Sequence, residues 1–379
     1  MATPKLYKFH VEMTCEGCSN AVKRVLGKLE DKLKLLSVDL NAKEVQVESS
    51  SMGQDEILEV LKKTGKAKLK VIRMVLINNP NPIYVVKHLK IHGASDFIVF
   101  KRSDGTLASS PILVHFGTQI VAKNGYKNAA AEEGVPVQIA VNGKSIDGMA
   151  LRTDENGDVY ERNATLASLK TILKTIGPYS VQFSAKNAKG QTLSVNCTLY
   201  YLDHNAKLVI SDIDGTVTKS DLRGMLLGRV WMQKNVRELY EQIKQRGYQL
   251  VYLSARPAAA GTMTMDFLKE LNMPSGALLL SYEPLEKAVK TAVKDPQRVK
   301  IVCMQRLKDL FNLAPFFAGF GNQQSDKIAY DALEVPTVFM VNPKGAVTIY
   351  RNGGQTVDKP TTYRNVIDKM MDTFFPRLK

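Results

Sequence analysis

Asp212 and Asp214 stand one residue apart in the stretch KLVISDIDGTVTKSD, residues 207–221. Four β-favouring, mostly apolar residues, 208–211, precede them, and Gly215 and Thr216 follow at once. On an extended strand end, side chains two apart point the same way, so both carboxylates converge on one site. Gly215 lets the backbone turn away beneath them. Converging carboxylates repel, and a cation, a shared proton or a hydrogen-bond cradle must compensate. Mg²⁺ together with a phosphate group supplies such partners. The chemistry this suits is phosphoryl transfer. Asp212 can attack phosphorus and carry the group as an acyl phosphate. Asp214 can protonate the leaving alkoxide and then deprotonate water.

The elements that must hold this pair follow from the pattern of residues 206–379. Helical periodicity covers 236–246, about 262–271, 286–293, 300–311 and about 363–375. Apolar strand-like runs fall at 250–253, 277–280, 316–320 and 338–341. Strands alternating with helices predict a doubly wound, Rossmann-like parallel sheet, whose active sites lie at the carboxyl ends of strands. Polar groups occupy three such ends: Asp212 with Asp214, Ser254, and Asn322 with Asp326. Ser254 can hydrogen-bond a phosphoryl oxygen, and it also suits a helix cap. Asn322 or Asp326 can complete a Mg²⁺ shell with the Asp212 carboxylate and the Asp214 carbonyl. Asn322 also suits a turn. A lysine is needed against the charge that grows on the equatorial oxygens.

Upstream, residues 94–205 read as short strands separated by regular turns, such as Ser103-Asp104-Gly105 and Asn142-Gly143, with one helical patch at 166–176. This predicts a β-sandwich. Residues 78–82, NNPNP, are a breaker cluster and a linker. The first seventy residues follow the order βαββαβ, a ferredoxin-like split sandwich. Cys15 and Cys18 lie in a loop and at a first helical turn, where thiolates are favoured and soft metals such as Cu(I) bind. Taken alone, the CxxC pair also fits zinc or redox roles. His88 and His92 sit four apart with no third ligand nearby and read as surface histidines.

The 379 residues carry 52 Lys and Arg against 37 Asp and Glu, a formal net charge of +15. Such an excess suits an anionic partner, whether acidic lipid, nucleic acid or a phosphorylated substrate. With 44% hydrophobic and 23% charged residues the chain is globular rather than disordered. No apolar run approaches a membrane span of ~20 residues, and MATPKLYKFH lacks the apolar core of a secretory signal. Four cysteines, two of them as CxxC, predict a reducing compartment rather than a disulfide scaffold.

Two resemblances sharpen these readings. MTCEGC at 13–18, with LKKTGK at 61–66, resembles cytosolic copper chaperones of the heavy-metal-associated domain family over residues 5–73. By that resemblance Cys15 and Cys18 bind Cu(I), Lys66 offsets the charge of the bis-thiolate site, and a copper-transport ATPase is an implied partner. Lys66 by itself also fits a solvated loop lysine. Residues 93–379 resemble the lipin-type phosphatidate phosphatases of the haloacid-dehalogenase (HAD) superfamily. The matching pieces are GASDFIVFKRSDGTLASSPILVHFG, VNGKSIDGMALRTDENGDVY, SDIDGTVTKSD, GYQLVYLSAR, FFAGFGNQQSD and FMVNPKG.

That second resemblance implies an immunoglobulin-like sandwich at 93–205 and a HAD-like catalytic domain at 206–379, after a first domain at 1–75 and a linker at 76–92. It implies Asp212 as nucleophile, Asp214 as acid and base, and Ser254 with Gly215, Thr216 and Arg256 on the substrate phosphate. Asn322, in preference to Asp326, becomes the Mg²⁺ ligand beside Asp212 and Asp214. VKIVCMQRLKDLF makes Lys300 the charge-neutralising lysine, with Arg298 the alternative. The implied reaction converts phosphatidate in anionic membranes to diacylglycerol, by a cytoplasmic protein bound peripherally, at the endoplasmic reticulum, with no nucleic-acid partner. A phosphatidate sensor without turnover and a copper carrier are the alternatives. One departure stands out: lipins commonly carry Gly-His where this chain has Gly224-Met225.

Overall fold

The computed structural model describes residues 5–11, 16–40, 44–53, 56–57, 60–61, 72–74, 92–117, 120–122, 125–127, 133–161, 167–218, 232–281, 295–311, 314–356 and 359–378. The chain divides into two units, Met1–Leu89 with Gln119–Lys127, and Lys90–Thr118 with Asn128–Lys379.

In the first unit, β1 (Lys5–His10), α1 (Glu16–Gly27), β2 (Lys34–Asp39), β3 (Glu44–Ser49) and β4 (Ile72–Met74) build a sheet of order β2-β3-β1-β4. All its pairings are antiparallel. Alternating residues of β1 and β3 point inward, so Tyr7, Phe9, Val45 and Val47 pack with Val22 and Leu26 of the helix. Cys15 and Lys66 lie outside the described residues, as do residues 78–82 and Met225. Cys18 belongs to the first turns of α1.

The second unit opens with β5 (Gly93–Ala94), β6 (Phe97–Lys101), β7 (Leu107–Ser109) and β8 (Ile112–His115). A small hairpin of β9 (Ile120–Ala122) and β10 (Gly125–Lys127), counted with the first unit, interrupts it. Then follow β11 (Pro136–Val141), β12 (Lys144–Arg152), β13 (Asp158–Glu161), α2 (Ala167–Lys170), β14 (Gly177–Lys186) and β15 (Thr192–Asp203). A six-stranded sheet, β12-β11-β14-β15-β6-β7, and a three-stranded one, β13-β8-β5, share one apolar core. The expected helix at 166–176 shrinks to α2. Its tail is held instead by the Tyr179 hydroxyl, which accepts the Lys174 and Thr175 N–H groups at 3.1 Å and donates to the Thr175 carbonyl at 2.8 Å. Backbone groups satisfied by a side chain have no need of a helical ladder.

Beyond β15 the chain enters β16 (Leu208–Asp212), α3 (Val236–Gln245), β17 (Gln249–Pro257), a 3₁₀ turn (Ala258–Ala260), α4 (Gly261–Glu270) and β18 (Ala277–Ser281). It continues through α5 (Pro296–Leu310), β19 (Phe316–Gly321), α6 (Gln324–Ala332), β20 (Thr337–Val341), β21 (Val347–Arg351) and β22 (Gly354–Gln355). The expected helix at 363–375 is α7 (Tyr363–Asn365) and α8 (Met371–Phe374), joined by a π-helical turn. The expected helix at 286–293 lies outside the described residues. One seven-stranded sheet results, of order β18-β17-β16-β19-β20-β21-β22, with β18 through β20 parallel and the last pairings antiparallel. β16 is buried along its whole length, as its run of apolar residues requires for a strand covered on both faces.

The sandwich and this sheet are welded at the sheet's edge. The Asp96 amide donates to the Leu278 carbonyl at 2.9 Å. Its carboxylate accepts the Leu278 N–H of β18 at 2.8 Å and the Thr198 N–H of β15 at 2.7 Å. Ser95 Oγ accepts the Leu280 N–H at 3.2 Å. An edge strand's exposed ladder is thereby closed. Burial pushes the Asp96 carboxyl up to about 7, against the pull of its two N–H donors. Gly93 and Gly261 make the weld possible: a Cβ on Gly93 would meet Gly261 N at 2.7 Å, and one on Gly261 would meet the Ala94 carbonyl oxygen at 2.4 Å.

Candidate active site

β16 lies between β17 and β19, where the strand order reverses, and in parallel sheets that crevice is where ligands bind. The register pairs Asp212 with Leu253 and Ser211 with Phe320. Ser254 and Asn322 therefore emerge just past the neighbours of the strand that carries Asp212.

Each acid of the pair has its own cation. Lys300 Nζ donates to Asp212 Oδ1 at 2.7 Å and also contacts Asp326 Oδ1. Arg256 Nη2 sits 2.7 and 2.9 Å from the two carboxylate oxygens of Asp214. Lys300 is buried in α5, whereas Arg298 is exposed and its backbone serves the Asp295 N-cap. Residues two apart on a helix point roughly 200° apart, so only one of the two faces the site. Asp326 is completely buried at the start of α6, and its Oδ2 accepts the Asn322 and Gln323 N–H groups at 2.9 Å. This capping box and Lys300 occupy both its oxygens.

Burial pushes the Asp212 carboxyl up, to about 7; Lys300 pulls it down, while Asp326 and Asp214 push it further up. Burial works to lower Lys300, but the charges of Asp212 and Asp326 outweigh it and hold the lysine above its ordinary value. Among the described residues, three carboxylates against two cations leave one negative charge uncompensated.

The amide end of Asn322 lies 3.0 Å from the Asp214 carbonyl oxygen, 3.3 Å from Asp212 Oδ2 and 3.2 Å from Thr216 Oγ1. With its nitrogen turned inward the amide donates to all three. With its oxygen inward, amide, carboxylate and peptide oxygens face one another. Adjacent oxygens around a Mg²⁺ with bonds of about 2.1 Å stand about 3.0 Å apart, so the spacing and the all-oxygen donor set fit that ion. Among the described residues no group of three or more His, Cys, Asp or Glu side chains could hold a metal. The set at Asn322 has only one carboxylate side chain among its oxygens. Gly215, at φ +90°, is what lets Asn322 approach: a Cβ there would meet the amide nitrogen at 2.0 Å.

Thr216 is buried, with its hydroxyl 3.3 Å from Asp212 Oδ2. Ser254 is buried, and its Oγ accepts the Arg256 N–H at 3.3 Å. Arg256, expected on the substrate, has both terminal nitrogens engaged, one on Asp214 and the other on Thr264 Oγ1 at 3.0 Å. Its guanidinium thus bridges the acid and the start of α4.

The profile of the LNS2 (Lipin/Ned1/Smp2) family matches residues 160–376, more than half of the chain. The chain belongs to this lipin family. The lipin N-terminal conserved region matches residues 70–176, and the heavy-metal-associated domain matches residues 8–67. Phosphatidate phosphatase PAH1 of Arabidopsis thaliana is 35% identical over 228 residues, covering 56% of this chain and 24% of the relative. Phosphatidate phosphatase LPIN2 of Homo sapiens is 36% identical over 216 residues, covering 53% and 24%. This lipin-family chain thus spans about a quarter of the length of these relatives. Among solved structures, the apo HMA domain of the copper chaperone for superoxide dismutase is 27% identical, covering 22% of this chain and 84% of that one, with a TM-score of 0.17.

Three contacts of the lipin-family site were not read from the sequence: Arg256 on Asp214, Thr264 on Arg256, and Asp326 as second partner of Lys300. For the last, the sequence carries a trace of where Asp326 sits, since Gln323 and Asp326 have capping-box spacing, but none of its cation. No helix among the described residues is long and apolar enough to cross a membrane.

Proposed function

We propose that the chain is a Mg²⁺-dependent phosphatidate phosphatase, releasing phosphate and diacylglycerol through an aspartyl-phosphate. The observation that carries this reading is the pair of acids at the β16 end, each with its own cation, in a family whose matched relatives are named phosphatidate phosphatases. An Asp212 oxygen attacks phosphorus as the bond to the glyceride oxygen breaks, and Asp214 gives that oxygen its proton. Asp214 then takes a proton from water, which attacks the acyl phosphate, frees phosphate and returns Asp212. Lys300, Ser254 and the turn at Gly215 and Thr216 hold the phosphoryl oxygens. Asp212, the Asp214 carbonyl and Asn322 would hold Mg²⁺, which when bound supplies Lewis-acid charge to a phosphoryl oxygen. The reading takes residues 93–205 as an immunoglobulin-like sandwich and 206–379 as a HAD-like domain. A net charge of +15 supports peripheral docking on anionic membranes, and the reading takes that membrane to be the endoplasmic reticulum.

The test is phosphate release from phosphatidate in mixed micelles, with Mg²⁺ and with a chelator. Release is expected with Mg²⁺ and its loss, by at least about a hundredfold, with chelator. Tight binding to phosphatidate vesicles without any release would make the chain a sensor and end this reading.

The match of residues 8–67 to the heavy-metal-associated domain favours a second function in the same chain, Cu(I) binding by Cys15 and Cys18 with Lys66 beside them, for handover to a copper-transporting ATPase. Competition with bathocuproine should show Cu(I) affinity falling in the Cys15→Ser/Cys18→Ser protein; unaltered affinity would exclude the thiolate pair.

A further inference from the structure

We propose that Thr264 is a positioning residue for the proton transfers of Asp214, acting through Arg256; this rests on the phosphoryl-transfer reading of the site. Thr264 is completely buried in the first turn of α4. Its hydroxyl donates to the Ala260 carbonyl at 2.8 Å, which leaves its lone pairs to accept from Arg256 Nη1 at 3.0 Å. Arg256 Nη2 then meets both oxygens of Asp214, at 2.7 and 2.9 Å. A guanidinium is planar and rigid, so fixing Nη1 fixes the direction of Nη2. Among the described residues Arg256 Nε has no hydrogen-bond partner, so the contacts that orient the group there are those of its two terminal nitrogens.

The arrangement is one-sided. The Arg256 side chain is 8% exposed and that of Asp214 29%, so the carboxylate is gripped from within and presents its outer side to solvent and substrate. The helix start carrying Thr264 is itself seated on the first strand of the sandwich. The Gly93 and Gly261 backbones approach so closely that neither position has room for a Cβ. The position of the acid is therefore set by a hydroxyl that touches no substrate, and that hydroxyl is held where the sandwich meets the α/β sheet.

Thr264→Val keeps the shape and removes the hydroxyl; Thr264→Ser restores it. An alkyl leaving group needs a proton from Asp214, while p-nitrophenolate does not. For Thr264→Val, first-turnover release from phosphatidate should fall roughly tenfold, while the burst of p-nitrophenolate from p-nitrophenyl phosphate changes by less than about twofold. Thr264→Ser should recover the phosphatidate rate. Equal losses with both esters would overturn the proposal. A readout independent of turnover is the nitrogen NMR of Arg256. Distinct Nη resonances are expected in the unsubstituted protein and averaged ones in Thr264→Val. Arg256 resonances indifferent to the substitution would also overturn it. Failure of the underlying functional reading shows differently: no ester yields phosphate with the unsubstituted chain, while the Arg256 resonances still respond to Thr264.

Discussion

Asp212→Asn is expected to lower phosphate release from phosphatidate by roughly four to six orders of magnitude, the scale on which removing a covalent nucleophile acts. The amide has the same shape and cannot form the acyl phosphate. The protein should remain folded, and its thermal midpoint should hold or rise. The Asp212 carboxylate is almost wholly buried and pushed up to about 7 by that burial, so the native state carries a charge it does not solvate well. Replacing it with a neutral group relieves that cost while Lys300 keeps Asp326 as partner. Active-site charge commonly lowers stability in this way. Phosphate assays and thermal melts on the same preparation separate the two effects. Turnover within tenfold of the unsubstituted protein would remove Asp212 from the reaction.

Lys300→Met comes second in size and strikes both function and folding. Lys300 is the cation that meets Asp212 and Asp326 together, all three side chains being nine-tenths or more buried. Its removal leaves two buried carboxylates facing one another, a loss of about 3–5 kcal/mol by analogy with other broken buried pairs. Turnover should fall by roughly a hundred- to a thousandfold, because charge developing on the phosphoryl oxygens loses its fixed partner. Adding Asp326→Asn should recover much of the stability and none of the activity, since in the proposed reaction Asp326 serves the fold and Asp212 the chemistry. Non-additivity of this size is what contacting charged groups show in double-mutant cycles. Denaturant melts and phosphate release on the three variants measure it. A Lys300→Met protein with the parent's stability would mean that this triad does not form.

Much of this chain was legible residue by residue. The run 208–211 followed by two spaced acids and a glycine predicted a buried strand ending in a turn, and β16 with Gly215 at φ +90° is that element. The strands at 250–253 and 316–320 were also readable, with edges short by up to four residues, because apolar runs report burial and not where a ladder stops. Signals of this kind act over a few neighbours: a pattern, a cap, a turn.

The contacts that make the acids usable span the chain instead. Lys300 reaches Asp212 across 88 positions, and Arg256 reaches Asp214 across 42. Whether Lys300 or Arg298 faces inward depended on how α5 is rotated against the sheet, and both are cations in a similar context. Arg256 meets Thr264 as well as Asp214 because α4 packs beside the end of β17. Ser95 and Asp96 close the edge of a strand 182 or more residues away. By itself, then, the sequence determined which residues could do chemistry and the local elements bearing them. The tertiary structure alone decided which charges are paired, because pairing depends on strand order and helix rotation, and neither is encoded in any short run of residues.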